Sequence, residues 1–204
     1  MKASRVKFNA NALRSQLTKQ LVAQQTQLLV DYAKAKIVEI GNTIRTWHSA
    51  HHMDRTGHLL DSLCWGVAYN GQLQEGGFYR PASAHGNSYL HEWFSGDVKY
   101  LIPVNGHELA QRYLETYGNN GGQGWKVFFA ILAPYWGYWE KGFKMKSHFG
   151  NGKSGVTATY QFAVMTHFYD QIRTDLKPAR TRFRVSVAKY DKPKLEKKWA
   201  KYAG

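Results

Sequence analysis

Four histidines lie close together in the first third of the sequence, where they could bind a metal ion. They are His48, His51, His52 and His58. His48 and His52 are four residues apart, so on a helix they would share one face and could hold zinc. Asp54 is the nearest carboxylate, and no cysteine completes a ligand set. Solvated histidines near a helix C-terminus, where positive charge is favourable, fit the pattern better than a zinc hydrolase.

Two glutamates beside aromatic side chains could instead act on a sugar. Glu92 precedes Trp93, and Glu140 ends an aromatic run that begins at residue 135. Glycosidases place two carboxyl groups on either side of the scissile bond. The distance between Glu92 and Glu140 is not given by their positions in the sequence. The pair is the basis of the alternative interpretation as a cell-wall glycosidase.

No other catalytic pattern is present in the sequence. The Gly-x-Ser-x-Gly nucleophile motif is absent. The glycine-rich segment 150–155 lacks the spacing of a phosphate-binding loop. The single cysteine, Cys64, excludes an intrachain disulfide, and its apolar neighbours indicate a buried thiol. We therefore predict no catalytic residue, no cofactor and no metal, and a protein that is not an enzyme.

The net charge of +14 is concentrated at the two ends of the chain. Residues 1–30 carry five bases and no acid, and residues 173–204 carry eleven bases and three acids, while the remainder is nearly balanced. Such ends suit contact with DNA or with an acidic neighbouring subunit, although they could also serve solubility alone. The candidate contact residues are Lys2, Arg5, Lys7, Arg180, Arg182, Arg184, Lys194, Lys197, Lys198 and Lys201. Because no sequence-reading motif is present, the alternative function is non-sequence-specific DNA binding.

Apolar periodicity predicts one long helix over residues 10–47, with Gly41 as a kink or an early end. At ~1.5 Å per residue this helix would exceed about 50 Å, so we expect it to be shared between its own sheet and a neighbouring subunit. The segment 157–176 predicts a second helix, which Pro178 would end. A shorter helix is predicted over 107–117.

Alternating and continuous apolar runs predict the strands. Leu63, Trp65 and Val67 alternate with smaller residues, and Gly66 marks a bulge or a close-packing site. Asn70-Gly71 predicts a type I′ hairpin turn. The run 125–132 predicts a central strand that is buried on both faces. A strand is also expected over 100–102 and another over 183–187, whereas the basic, glycine-rich residues 143–156 read as a loop.

These elements predict an α+β fold, in which a small antiparallel or mixed sheet is packed by a long N-terminal helix and a second C-terminal helix. We expect one domain over 1–204, with an inserted segment at about 77–124 and a basic C-terminal arm at about 189–204. No apolar run approaches the ~20 residues of a membrane span, so no membrane partner is expected. The N-terminus lacks an apolar signal region, which predicts synthesis in the cytoplasm.

Two short segments resemble the tail-completion, or head–tail joining, family of tailed bacteriophages. One runs from Arg55 to Leu63 and the other from Ala133 to Gly142. In that family a long helix leads to a Thr-Gly-x-Leu-x-x-Ser motif, and an aromatic motif with Glu and Gly follows later in the chain. The matching positions are Thr56, Gly57, Leu59, Ser62, Tyr135, Tyr138, Glu140 and Gly142. The family usually has a much shorter link than 77–124, so this stretch departs from its pattern.

The resemblance implies a structural virion protein that acts by assembly and catalyses no reaction. It also implies a structural role for Glu140, which lies at the family's glutamate position. The expected partners are copies of itself in a ring, other phage neck, portal-adaptor or tail subunits, and packaged DNA. The expected location is the head–tail junction or upper tail of the virion, after synthesis in the host cytoplasm.

Overall fold

The computed structural model describes residues 10–51, 58–80, 89–95, 98–117, 122–133, 143–148, 154–160, 164–183 and 186–187. The helices in these ranges are α1 (Ala10–His51), α2 (His58–Asp61), α3 (Gly106–Tyr117), α4 (Val164–Asp175) and α5 (Lys177–Phe183). The strands are β1 (Leu63–Tyr69), β2 (Gln72–Phe78), β3 (Tyr89–Ser95), β4 (Val98–Val104), β5 (Trp125–Ile131), β6 (Phe143–His148), β7 (Ser154–Tyr160) and β8 (Ser186–Val187).

The main sheet is small and mixed, with the strand order β2-β1-β5-β8. Strand β1 is antiparallel to both β2 and β5, and the short β8 is parallel to β5. Two further antiparallel pairs, β3–β4 and β6–β7, form separate two-stranded sheets. Together with the long N-terminal helix and the helix α4, this architecture confirms the predicted α+β fold class.

The turn between β1 and β2 confirms the hairpin predicted at Asn70-Gly71. Asn70 has a φ of 48° and Gly71 a φ of 78°. Both values are positive, as a two-residue type I′ turn requires. The Asn70 side chain also accepts a hydrogen bond from the Gly124 N–H at 2.8 Å. The turn therefore fixes the β1–β2 register and ties it to the start of β5.

The two faces of the main sheet carry two separate apolar clusters, because successive side chains of a strand point to opposite faces. On the α1 side, Leu63 and Val67 join the larger cluster, which includes residues of α1 and α4. On the α3 side, Cys64 and Phe128 join a smaller cluster with residues of α3. Strand β5 is buried along nearly its whole length, which confirms a central strand with two buried faces.

Two glycines permit close packing within this arrangement. A Cβ at Gly66 would overlap the ring of Phe128, which confirms the predicted close-packing site. A Cβ at Gly41 would overlap the ring of Tyr79. The predicted early end at Gly41 is wrong, because α1 continues through it to His51, while the kink stays a prediction. Glycine at position 41 instead lets the helix lie against the aromatic ring.

The prediction for residues 143–160 is wrong in two respects. The expected loop contains the strand β6 and the beginning of β7, and the expected helix starts late because β7 continues to Tyr160. Residues 156–160 alternate between Thr and larger or apolar side chains, a period-two pattern with β-branched residues that favours a strand. Helix α4 begins at Val164, and its apolar face is buried at Met165, Phe168 and Ile172.

The chain after α4 also differs from the prediction, since Pro178 does not end the helical region. Pro178 lies in the first turn of α5, where its missing N–H costs no hydrogen bond. Phe183 is the last residue of α5, so the expected strand over 183–187 is reduced to Ser186–Val187. Arg182, one of the candidate contact residues, lies on this helix.

The segment 77–124 contributes to the main fold at its beginning and through α3. Strand β2 ends at Phe78, and α3 packs on β1 and β2 through Ala110 and Leu114. Asn105 caps α3 by accepting hydrogen bonds from the N–H groups of its first turn. The predicted helix over 107–117 and the predicted strand over 100–102 are both confirmed. The domain boundaries themselves stay a prediction.

Candidate assembly interface

The Ser62 hydroxyl links the two segments that carry the resemblance to head–tail joining proteins. Ser62 lies fully buried between α2 and β1. Its Oγ donates a hydrogen bond to the Leu59 carbonyl at 2.8 Å. The same Oγ accepts hydrogen bonds from the N–H groups of Leu132 at 3.2 Å and Ala133 at 3.0 Å. One side chain thus satisfies buried backbone groups at the end of the first segment and at the start of the second.

Two of the eight motif residues lie in the described part of the chain. Leu59 is fully buried in the larger apolar cluster, and Ser62 occupies the junction just described. The other six lie outside the described residues, so their structural roles stay predictions. They are Thr56, Gly57, Tyr135, Tyr138, Glu140 and Gly142.

Asp61 is a second polar residue at the junction, and the sequence analysis did not single it out. Its side chain is almost completely buried, and the Arg80 guanidinium lies 3.6 Å from its carboxylate. Next to this pair, the Tyr79 N–H donates a hydrogen bond to the Leu63 carbonyl at 3.0 Å. The sequence did contain a signal for this pair: Asp61 lies in a mostly apolar segment. A carboxylate that is buried in such a segment is usually paired with a base.

Helix α1 has one buried apolar face and one exposed apolar face. The buried face begins near Gln25 and continues through Leu29 to Ile44 on the main sheet. Five large apolar side chains point away from that face, with exposed fractions of 42–64%. They are Leu13, Leu17, Leu21, Leu28 and Val38. Residues 10–21 are all exposed, so this end of α1 extends beyond the apolar core.

A polar cluster anchors the middle of α1 to α4. The ammonium group of Lys36 lies 2.7 Å from Glu39 and 3.3 Å from Asp175. The Tyr32 hydroxyl donates a hydrogen bond to Asp175 at 2.8 Å. Lys36 also lies 6.0 Å from the centre of the Phe168 ring. The cluster fixes the crossing of the two helices through paired charges.

The pKa values in this cluster follow from burial and pairing. Burial alone lowers the pKa of Lys36, but hydrogen bonds to Glu39 and Asp175 outweigh it, so the pKa is raised above the usual value. Burial and the hydrogen bond to Asp175 raise the pKa of Tyr32. Both groups therefore stay protonated at neutral pH. A protonated lysine held by two carboxylates is a structural tie and does not supply a general base.

The residues considered for catalysis are only partly within the described structure. His48 and His51 lie in the last turns of α1, whereas His52 and Asp54 lie outside the described residues. Glu92 lies on β3, opposite Leu101 on β4. Within the described ranges, no group of three or more His, Cys, Asp or Glu side chains could hold a metal ion. Cys64 is fully buried as predicted, and burial raises the pKa of its thiol.

The candidate basic contacts are mostly beyond the described ranges. Arg180 is exposed on α5, and Arg182 is the last residue but one of that short helix. The remaining candidates lie outside the described residues. These are Lys2, Arg5, Lys7, Arg184, Lys194, Lys197, Lys198 and Lys201. In the part of the chain that is described, no helix is long and apolar enough to cross a membrane.

Comparison with known proteins gives no match at any level. No protein-family model matches the chain, and no curated protein and no solved structure matches it.

Proposed function

We propose that this protein is a structural virion subunit of a tailed bacteriophage that forms part of a ring at the head–tail junction or upper tail. The observation that carries the proposal is the junction at Ser62. The first segment of the family-like pattern ends there, and its serine binds the backbone that leads directly into the second segment. Residues some seventy positions apart thus belong to one structural unit, as a shared family motif would require.

The exposed end of α1 also supports an assembly role. A helix with exposed leucines along residues 13–28 leaves apolar surface in water, and such surface marks interaction sites. Ring subunits bind their neighbours through different faces, and rotation closes the contacts. In this role the subunit would bind copies of itself and other neck, portal-adaptor or tail proteins, and its basic ends would face packaged DNA or an acidic neighbour.

Electron microscopy of the purified full chain tests the ring directly. We expect closed rings with a central channel at high protein concentration. Isolated subunits or pairs at every concentration and salt condition would contradict the proposal. Wall hydrolysis or stoichiometric zinc in the purified protein would favour the glycosidase or hydrolase interpretation instead.

The Ser62→Ala variant tests the junction itself. Removing the hydroxyl takes away the acceptor of the buried Ala133 N–H, whereas the Leu132 N–H keeps the Ser62 carbonyl at 3.4 Å. The loss should cost about 1–3 kcal/mol of unfolding free energy. The matched control is Ser186→Ala, because Ser186 is exposed and bonds one carbonyl in the same sheet. Urea unfolding should show a clearly larger loss of unfolding free energy for Ser62→Ala than for Ser186→Ala. Equal small losses would mean that Ser62 does not hold the junction together.

The alternative function, non-sequence-specific DNA binding by a monomer or dimer, rests on the exposed bases of the C-terminal helices. Arg173, Lys177 and Arg180 recur at spacings of four and three and are all exposed. Phosphate contacts release counterions, so such binding would weaken steeply with salt. A strong, salt-sensitive gel shift by a protein that forms no rings would favour this alternative.

A further inference from the structure

We propose that the exposed face of α1 pairs with the same face of a second copy of the chain, in an antiparallel coiled coil. This contact is a two-fold pair of free subunits and is distinct from a ring contact, in which neighbours use different faces. It goes beyond the proposed function, because it concerns free subunits, in which a second copy would cover the same exposed leucines of α1 that support the assembly role.

The spacing of the exposed residues carries the first step. Positions 10, 14, 17, 21, 24, 28, 31 and 35 are separated alternately by four and three residues. This is the spacing of a coiled-coil seam, in which apolar residues repeat on average every 3.5 residues. Every one of these positions is exposed, whereas the face of α1 that packs on the sheet uses other positions. The seam is about 39 Å long at ~1.5 Å per residue.

The distribution of exposed apolar side chains indicates that a second copy of the chain covers the exposed face of α1. Among the residues whose side-chain burial is described, the five exposed large apolar side chains all lie on α1. A contact between two copies that covers these side chains on both copies joins α1 to α1. Leu17, Leu21 and Leu28 are the large apolar members of the seam, and each is at least half exposed in the single chain.

The charges of the seam decide the orientation. Arg14 lies near one end and Asp31 near the other, and both are exposed. Asp31 accepts a hydrogen bond from Gln27 at 2.9 Å. A parallel pair would place Arg14 on Arg14 and Asp31 on Asp31, and like charges destabilise such a contact. An antiparallel pair places Arg14 of one copy on Asp31 of the other, twice.

The same charges favour one register over a shift toward the C-terminus. Centring the pair between Val22 and Ala23 places Leu17 against Leu28 and Arg14 against Asp31. Leu21 then lies against Gln24, and all positions keep the alternating layers of a coiled coil. A shift of one heptad toward the C-terminus would place Asp31 against Leu21. Such a shift would bury a carboxylate on an apolar side chain without a partner, which is costly.

Cysteine cross-linking tests the orientation and register in the full chain. The native Cys64 is fully buried, so oxidation should act on introduced cysteines. We expect a mixture of the Leu17→Cys and Leu28→Cys proteins to form a covalent dimer with one copy of each. Each variant alone should cross-link weakly, because its two thiols would lie about 16 Å apart along the antiparallel pair at ~1.5 Å per residue. Self-cross-linking of Leu17→Cys as efficient as that of the mixture would overturn the antiparallel arrangement.

Sedimentation of the wild type and of charge variants tests the pairing itself. The 23.4 kDa chain should sediment at twice that mass at micromolar concentrations. Leu17→Ala should raise the dimer dissociation constant about tenfold or more, since each pair loses two buried leucines. Arg14→Glu and Asp31→Arg should each weaken the dimer, and the double variant should recover it. A wild type that stays monomeric at ~100 µM, or a double variant no better than the single ones, would overturn the inference.

The proposed ring and the proposed antiparallel pair can be contradicted independently of each other. Rings without the Leu17–Leu28 cross-link would contradict the antiparallel pair alone. Cross-linked pairs that never form rings would contradict the ring alone. The substituted positions lie on the exposed face of α1, so an unchanged far-ultraviolet circular dichroism spectrum serves as the folding control.

Discussion

Two parts of the same helix, residues 10–24 and residues 25–44, differ in what they contact. Leu17 in the first part is 56% exposed, whereas Leu29 in the second is 2% exposed. Both are leucines in a regular α-helix, so neither composition nor backbone geometry accounts for the difference. The sheet and α4 cover one face of the second part only, and that tertiary contact decides which leucine is buried.

The largest expected effect of this difference is on stability. Leu29→Ala should lower the free energy of unfolding by about 2–5 kcal/mol, because it leaves a cavity in the larger core. Leu17→Ala should change it by less than ~0.5 kcal/mol when measured on the monomer at high dilution. Urea unfolding of both variants makes the comparison. Similar losses would show that residues 10–24 fold against a surface of their own domain.

Exchanges between glycine and alanine test the same difference between the two parts of α1, with a smaller expected effect on stability. Gly41→Ala should destabilise the protein by about 1–3 kcal/mol despite the higher helix propensity of alanine, because its Cβ meets the Tyr79 ring. In a Tyr79→Ala background the same exchange should stabilise by up to ~1 kcal/mol. The control in the first part is Ala23→Gly, which should cost about 1 kcal/mol through propensity alone. An unchanged sign in the Tyr79→Ala background would contradict the packing explanation.

The smallest expected effect concerns the polar tie between α1 and α4. Asp175→Asn should cost about 1–2 kcal/mol at neutral pH, since it weakens the bonds to Lys36 and Tyr32. Both of those groups have raised pKa values in the folded state. Their interactions therefore contribute fully to the free energy of unfolding below their ordinary pKa values of about 10. This contribution is lost as the pH rises above those values.

Unfolding free energies measured across alkaline pH check this prediction. The wild type should lose stability above about pH 10, and Asp175→Asn should lose less over the same range because the shifts are smaller. Asp170→Asn is the matched control, since Asp170 is exposed on the same helix. A control that behaves like Asp175→Asn would assign the effect to overall charge.

Several parts of the fold could be predicted because their signals are local. The periodicity of α1, the continuous apolar run of β5 and the Asn70-Gly71 turn each contain their own physical cause within a few residues. The errors arose where two local readings competed. Residues 157–160 continue the apolar spacing of α4, yet their β-branched alternation wins and forms β7. A proline is unfavourable in the interior of a helix but is tolerated in its first turn. Helix α5 begins at Lys177 and therefore accommodates Pro178.

Some features of the candidate site could also be predicted from the sequence, whereas others depend on the tertiary structure. The sequence alone determined that Leu59 and Ser62 belong to a patterned segment, that Cys64 is buried and that α1 carries leucines along much of its length. Only the tertiary structure decided that Ser62 binds the backbone of Leu132 and Ala133, that Lys36 pairs with Asp175, and that Leu17 stays exposed. The reason is physical: a periodic pattern specifies which side chains avoid water, but the partners that cover them come from distant parts of the chain and are selected by packing.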